Sequence, residues 1–242
     1  MADESRAGAT WPPVVRSATM TRDEMAPDEF VASMLAWFQT HGRDLPWRAT
    51  GDTYRVLVCE VLLRRSRGTT VAKVFHQFFA RWPKQEDLAE ARVEEVVEII
   101  RPLGLIGRAS QLVELGRQLA VLNVMPDTVV ELCKLPGVGR YSASATLGAP
   151  AVDATSARVY RRYFGLTGVG EHKRVDAELW RLVGELPVGD VHMSRRLNWA
   201  VLDLAASACA PRKPACQHCV LAETCAWNTT SSEAGTATTR RE

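Results

Sequence analysis

The sequence predicts an all-α fold. Its apolar residues recur at helical spacing, period-2 alternation is never sustained, and glycines or prolines separate one apolar series from the next. With 242 residues and 46% hydrophobic content, the chain can bury one large core or the cores of two small lobes.

Residues 1–26 carry an adjacent proline pair after Trp11 and little periodic hydrophobicity, and are expected to be disordered. Phe30, Met34, Leu35 and Phe38 begin the helical pattern. Val71, Val74, Phe75, Phe78 and Phe79 form a second stripe, and Val93, Val96, Val97 and Ile100 a third. Leu112, Leu115 and Leu119, then Leu179, Leu182, Val183 and Leu186, continue it. Gly42, Pro83, Gly104, Pro126 and Gly189 are the expected breaks. Residues 228–242, rich in Thr, Ser and Ala, predict a disordered tail, which leaves 27–227 as the folded domain.

Composition narrows the function classes. The uninterrupted apolar runs are short, such as Val56 to Cys59 and Val61 to Leu63, and fall far short of the roughly 20 residues that cross a bilayer. The N-terminus lacks the basic-then-apolar order of a secretory signal, so no membrane partner and a cytoplasmic location are expected. A net charge of +2 does not by itself announce a nucleic-acid binder. Its distribution says more: acidic residues gather in Glu86 to Glu98, whereas Arg64, Arg65, Arg140, Arg158 and Arg162 accompany the motifs below.

Four of the six cysteines are spaced Cys209-x6-Cys216-x2-Cys219-x5-Cys225. Thiolates this close suit one soft metal centre, and disulfides are the weaker reading because nothing points to secretion. On chemistry alone, a tetrahedral zinc site with His218 inside the loop and an iron-sulfur cluster stand level. Cys59 and Cys133 lie in apolar stretches and read as core residues.

A short helical pattern from Asp127 ends in Leu135-Pro136-Gly137-Val138-Gly139-Arg140, after which helix resumes at Tyr141. A Gly-x-Gly turn between helices lets backbone amides point outward unobstructed and can hold a phosphate. The same turn also serves simply to join two packed helices.

In chain order, Arg43 to Arg48 (RDLPWR), Cys59 to Arg65 (CEVLLRR), the glycine hairpin, Val152-Asp153-Ala154, the run from Asn198 to Cys216 and the cysteine loop are similar to motifs of the helix-hairpin-helix, or endonuclease III, superfamily of DNA glycosylases. The similarity covers roughly residues 28–227. It implies a two-lobed all-α enzyme, with double-stranded DNA crossing between a helical barrel lobe and a lobe that contains the termini and the loop at 209–225. It also implies a [4Fe-4S] cluster on Cys209, Cys216, Cys219 and Cys225, and DNA binding by Gly137, Val138, Gly139 and Arg140.

Such an enzyme rotates its target base out of the duplex, at a cost of a few kcal/mol. Breaking the bond to the sugar builds positive charge there, which a sheltered carboxylate can stabilise. Asp153 matches the superfamily's catalytic aspartate, although an aspartate before a helix also serves as its N-cap. Glu60 sits in the apolar run VLVCEVLL, where an ionised side chain is costly to bury. The resemblance puts it against the flipped base; the plainer reading is a helix-surface pair with Arg64.

Tyr141 stands where strand-cleaving relatives carry a Schiff-base lysine, and a phenol cannot form that imine. At this position the chain resembles the branch that removes thymine or uracil mispaired with guanine, in which the ring packs against the extruded base. Arg64 and Arg65 match a basic pair of that branch, suited to filling the gap left by the base or holding the orphan strand. Eleven residues separate Tyr141 from Asp153, fewer than is usual in the superfamily. Gly148, Ala149 and Pro150 are therefore expected to leave the helix early and run extended.

The reading is a monomeric, monofunctional base-excision glycosylase for thymine or uracil opposite guanine in mismatched DNA, nucleoid-associated if bacterial. Its nearest rival removes adenine opposite guanine or oxidised guanine; such enzymes usually continue into a C-terminal recognition domain and carry serine where this chain has Tyr141. A glycosylase for another modified base, and a catalytically impaired DNA-binding iron-sulfur paralogue, are the other two.

Overall fold

A computed structural model describes residues 22–122, 124–166 and 172–229, and the expectations for 1–21 and 230–242 lie outside them. Among the described residues there is no strand. The helices are α1 (Arg22–His41), α2 (Thr53–Leu63), α3 (Gly68–Arg81), α4 (Gln85–Ala89), α5 (Val93–Ile100), α6 (Arg108–Leu122), α7 (Val129–Leu132), α8 (Arg140–Leu147), α9 (Ala154–Phe164), α10 (His172–Gly184) and α11 (Val191–Ser207). Gly42 follows α1, Pro83 separates α3 from α4, Gly104 closes the turn after α5, Pro126 separates α6 from α7, and Gly189 separates α10 from α11. Helical structure starts before residue 27 and includes 226–229.

The chain divides into two compact units. One comprises the described parts of Met1–Gly42, Thr155–Gly189 and Trp199–Glu242; the other is Arg43–Ala154 with Asp190–Asn198. In the first, Phe30 of α1 packs on Tyr160, Tyr163 and Phe164 of α9, with ring centroids 5.5, 4.9 and 5.4 Å away. Such pairs each contribute about 1 kcal/mol beyond area burial. In the second, α2 packs on α8, and α4 and α5 pack on α6.

The apolar spacing marks the core faces. All five residues of the Val71 to Phe79 stripe are buried, as are Leu112, Leu115 and Leu119. Cys59 is buried as expected, but Cys133 is exposed. It falls at the C-cap of α7, a single turn in which only Leu132 is buried.

Candidate active site

Asp52 starts α2 by accepting hydrogen bonds from the amides of Tyr54 and Arg55, at 2.9 and 3.3 Å. From Val56 through Leu62 every residue of the helix is buried, so α2 is wrapped on all sides and has no solvent face for its one acid. Glu60 is only 6% exposed. Burial pushes its carboxyl up to about 8, the negative charge of Asp153 pushes the same way, and Arg48 opposes both. The helix-surface pair with Arg64 does not form, because the Arg64 guanidinium donates instead to the Gly137 carbonyl at 3.0 Å. Arg48 is presented by the short turn Pro46–Arg48, anchored by buried Trp47, and its Nη1 donates to the Arg43 carbonyl at 2.9 Å.

Asp153 reaches this site along an unusual path. Helix α8 stops at Leu147 because Gly148 adopts a left-handed conformation, φ 71°. The amides of Gly148 and Ala149 fold back onto the carbonyls of Ala145 and Ser144, at 3.2 and 2.9 Å. Arg195 donates to the Thr146 carbonyl at 3.1 Å, a cation at a helix C-terminus. Residues 149–153 then run outside any helix. Asn198, 5% exposed, grips them from both sides: its Oδ1 accepts from the Ala151 amide at 3.2 Å, and its Nδ2 donates to the Ala149 carbonyl at 2.9 Å. The early exit anticipated from the short Tyr141 to Asp153 spacing is thus present, pinned by a buried asparagine. Asp153 ends the segment half-buried, directly before α9, and Tyr141 lies half-buried in the first turn of α8.

The glycine hairpin lies beside the end of α2. Leu135 and Val138 are buried and anchor it. Gly137 has φ 75°, so the position takes glycine for its backbone, and a Cβ there would stand 3.3 Å from the Gln111 Oε1, which would have to give way slightly. The Val138 amide donates to the Leu135 carbonyl at 3.2 Å and is used within the turn. Gly139 is exposed, with open space where a Cβ would stand, and Arg140 beside it is exposed as well. Arg64 and Arg65 are both exposed. Sequence reasoning passed over Arg48 and Asn198 as site residues; the only signal was their position within motif-bearing stretches.

The sequence pattern of the HhH-GPD superfamily of base excision DNA repair proteins matches residues 58–185, which contain Glu60, the hairpin and Asp153. The chain belongs to this superfamily. It is 35% identical to a thymine-DNA glycosylase of Aeropyrum pernix over 79% of this chain and 91% of that one. It is 32% identical to the adenine DNA glycosylase of Homo sapiens over 87% of this chain, but only 41% of that longer protein. A solved thermostable thymine-DNA glycosylase superposes with TM-score 0.75 and 33% identity, over 87% of this chain and all of that one.

In this HhH-GPD protein the four-cysteine loop belongs to the first unit, and all four thiols are free and half-buried. Burial raises the pKa of Cys219 and Cys225. Backbone amides oppose this, that of Leu221 at Cys219 and those of Asn228 and Trp227 at Cys225, while the other thiols of the loop push upward. Two arginines one turn apart on α9 tie the loop down. Arg158 donates to the Cys209 carbonyl at 2.8 Å, and Arg162 to the Cys209 sulfur at 3.2 Å and the Ala210 carbonyl at 2.8 Å. His218 is exposed. Among the described residues, no three His, Cys, Asp or Glu side chains converge closely enough to hold a single metal ion.

Proposed function

We propose that this chain is a monofunctional DNA glycosylase that hydrolyses the N-glycosidic bond of thymine or uracil mispaired with guanine. As an HhH-GPD protein related to named DNA glycosylases, it is a base-excision glycosylase; the proposal concerns the base and the chemistry. The observation that carries it is the pairing of Glu60, buried with its pKa near 8, with the negative charge of Asp153. A buried carboxyl that keeps its proton, beside a second carboxyl, suits the roles of acid and electrostatic stabiliser.

Asp153 stabilises the positive charge that develops on the sugar as the bond to the base breaks, and orients the water that adds to the sugar carbon. Glu60, still protonated at neutral pH, donates its proton to the departing pyrimidine. The water leaves its hydroxyl on the sugar and gives up its other proton to Asp153, which releases it to solvent as Glu60 takes up a new one. Tyr141 packs against the extruded base and offers no amine, so no covalent imine forms and the strand stays whole. Gly137 and Gly139 hold a DNA phosphate through their amides, with Arg140 beside them. Val138 contributes its buried side chain to the turn; its amide is already engaged.

The chemistry of the cysteine loop suits a [4Fe-4S] cluster, in keeping with the resemblance of its spacing. Its four thiols lie within one loop, and backbone amides and Arg162 direct donors at the sulfurs. Cys209, Cys216, Cys219 and Cys225 would hold the cluster, which would tie the loop together.

The test is a panel of duplexes carrying G·T, G·U, adenine opposite oxidised guanine, and alkylated bases, treated with the purified protein and then with alkali. Alkali-dependent breaks at thymine and uracil, with no protein–DNA adduct trapped by borohydride, are expected. Faster release of adenine establishes the rival reading, and trapping without alkali overturns monofunctionality.

A further inference from the structure

The turn between α2 and α3 carries three exposed arginines, Arg64, Arg65 and Arg67, and a further arginine, from far along the chain, builds it. Arg108, at the start of α6, is only 6% exposed. Its Nη1 donates to the Leu62 carbonyl at 2.6 Å and to the Ser66 hydroxyl at 3.3 Å, and its Nη2 donates to the Arg64 carbonyl. The last carbonyls of a helix lack partners within it, and a guanidinium is the one side chain whose rigid fork can reach three acceptors at once.

As a device for stability alone the choice is poor. All three acceptors are neutral, and Arg64 adds a like charge nearby, so burial and Arg64 together lower the Arg108 pKa. The arrangement does fix geometry. Arg65 has φ 54°, the one positive value at a non-glycine residue among those described. Such a conformation costs on the order of 1 kcal/mol and persists only where the surroundings over-determine it. Arg108 holds the carbonyl immediately before Arg65 and the side chain immediately after it. The turn in turn presents Arg64 to the Gly137 carbonyl, linking it to the hairpin. A hollow of about 370 Å³ lies here, lined by Arg64, Arg65, Arg108, Gln111, Leu105 and Gly107.

We propose that Arg108 is a positioning residue: by clamping the Arg64 carbonyl and the Ser66 hydroxyl, it sets the left-handed turn from which Arg65 engages mismatched DNA and Arg64 braces the hairpin. The inference rests on the glycosylase reading above. It predicts that losing Arg108 costs DNA recognition through Arg65, although the two side chains do different things.

The experiment is a double-mutant cycle on the full chain with Arg65→Ala, Arg108→Met and the double variant. Affinities for a G·T duplex and its matched counterpart are read by fluorescence anisotropy, and excision by single-turnover rates at saturating enzyme. Each single substitution is expected to lower the preference for the mismatch by about tenfold, the scale of a charge-assisted contact. The double variant should be within about twofold of Arg108→Met alone, because the clamp and the arginine act in series. Losses that multiply to about a hundredfold overturn the proposal. So does a lower melting temperature with unchanged mismatch preference, the signature of a helix cap and nothing more. Should Arg108→Met not fold, Ser66→Ala replaces it: its loss of preference should vanish in the Arg65→Ala background, and a Ser66→Ala protein equal to wild type overturns the clamp. A wild-type chain that binds G·T DNA but releases no base would defeat the glycosylase reading while leaving the binding cycle decisive.

Discussion

Replacing Glu60 by glutamine should make the protein more stable and less active, with the stability gain growing as pH rises. The ordinary pKa of this carboxyl, 4.5, applies to the unfolded chain, and burial lifts it to about 8 in the folded one. Below 4.5 both states hold the proton and Glu60 costs nothing. Between the two values the unfolded state releases the proton while the folded state keeps it, so folding loses about 1.4 kcal/mol per pH unit. Above 8 both are ionised and the penalty levels off at roughly 5 kcal/mol. Glutamine imitates the protonated acid at every pH. The variant should therefore gain about 1 kcal/mol over wild type at pH 5, about 3 at pH 7 and about 5 at pH 9. These are large fractions of a typical domain's total of about 5–15 kcal/mol. Urea unfolding of both proteins at those three pH values measures the difference directly. A difference that stays flat with pH would refute the buried, proton-retaining Glu60 on which the chemistry rests.

The same protonation predicts that the wild-type single-turnover rate falls above pH 8, by about tenfold per pH unit, as the donor is lost; a rate that rises there contradicts the assignment. Gly137→Val should weaken binding to matched and mismatched duplexes alike, because phosphate contacts carry no base information and the position combines a positive φ with the nearby Gln111; a loss confined to mismatched DNA in gel-shift titrations argues against the phosphate role. Protein purified without oxygen should be brown, with about four irons and four sulfides per chain; one zinc and no sulfide would contradict the cluster.

The fold was legible because helical periodicity is a local property. The stripe from Val71 to Phe79 and the breaks at Pro83, Pro126 and Gly189 needed no knowledge of what they packed against. Glu60 was legible for a related reason: an acid with apolar neighbours on both sides, in a helix buried all round, has nowhere to reach water. Asn198 and Arg108 were opaque because the groups they serve lie 47 and 46 residues away. The same separation hid the partner of Arg64, whose local spacing pointed to Glu60 but whose hydrogen bond goes to Gly137, 73 residues on. Cys133 misled because α7 is a single turn, too short for an apolar neighbourhood in sequence to become a buried face.

The central claim is that Asp153 still acts as the catalytic carboxylate after the early exit at Gly148, because Asn198 pins the segment that carries it. Single-turnover excision by Asp153→Asn, beside wild type on the preferred duplex from the panel, tests this most directly. The substitution keeps the size of the side chain and removes its negative charge. A loss of at least about a hundredfold in rate, with DNA affinity retained, is the expected result for a charge that stabilises the transition state. Equal rates for the two proteins would contradict the account.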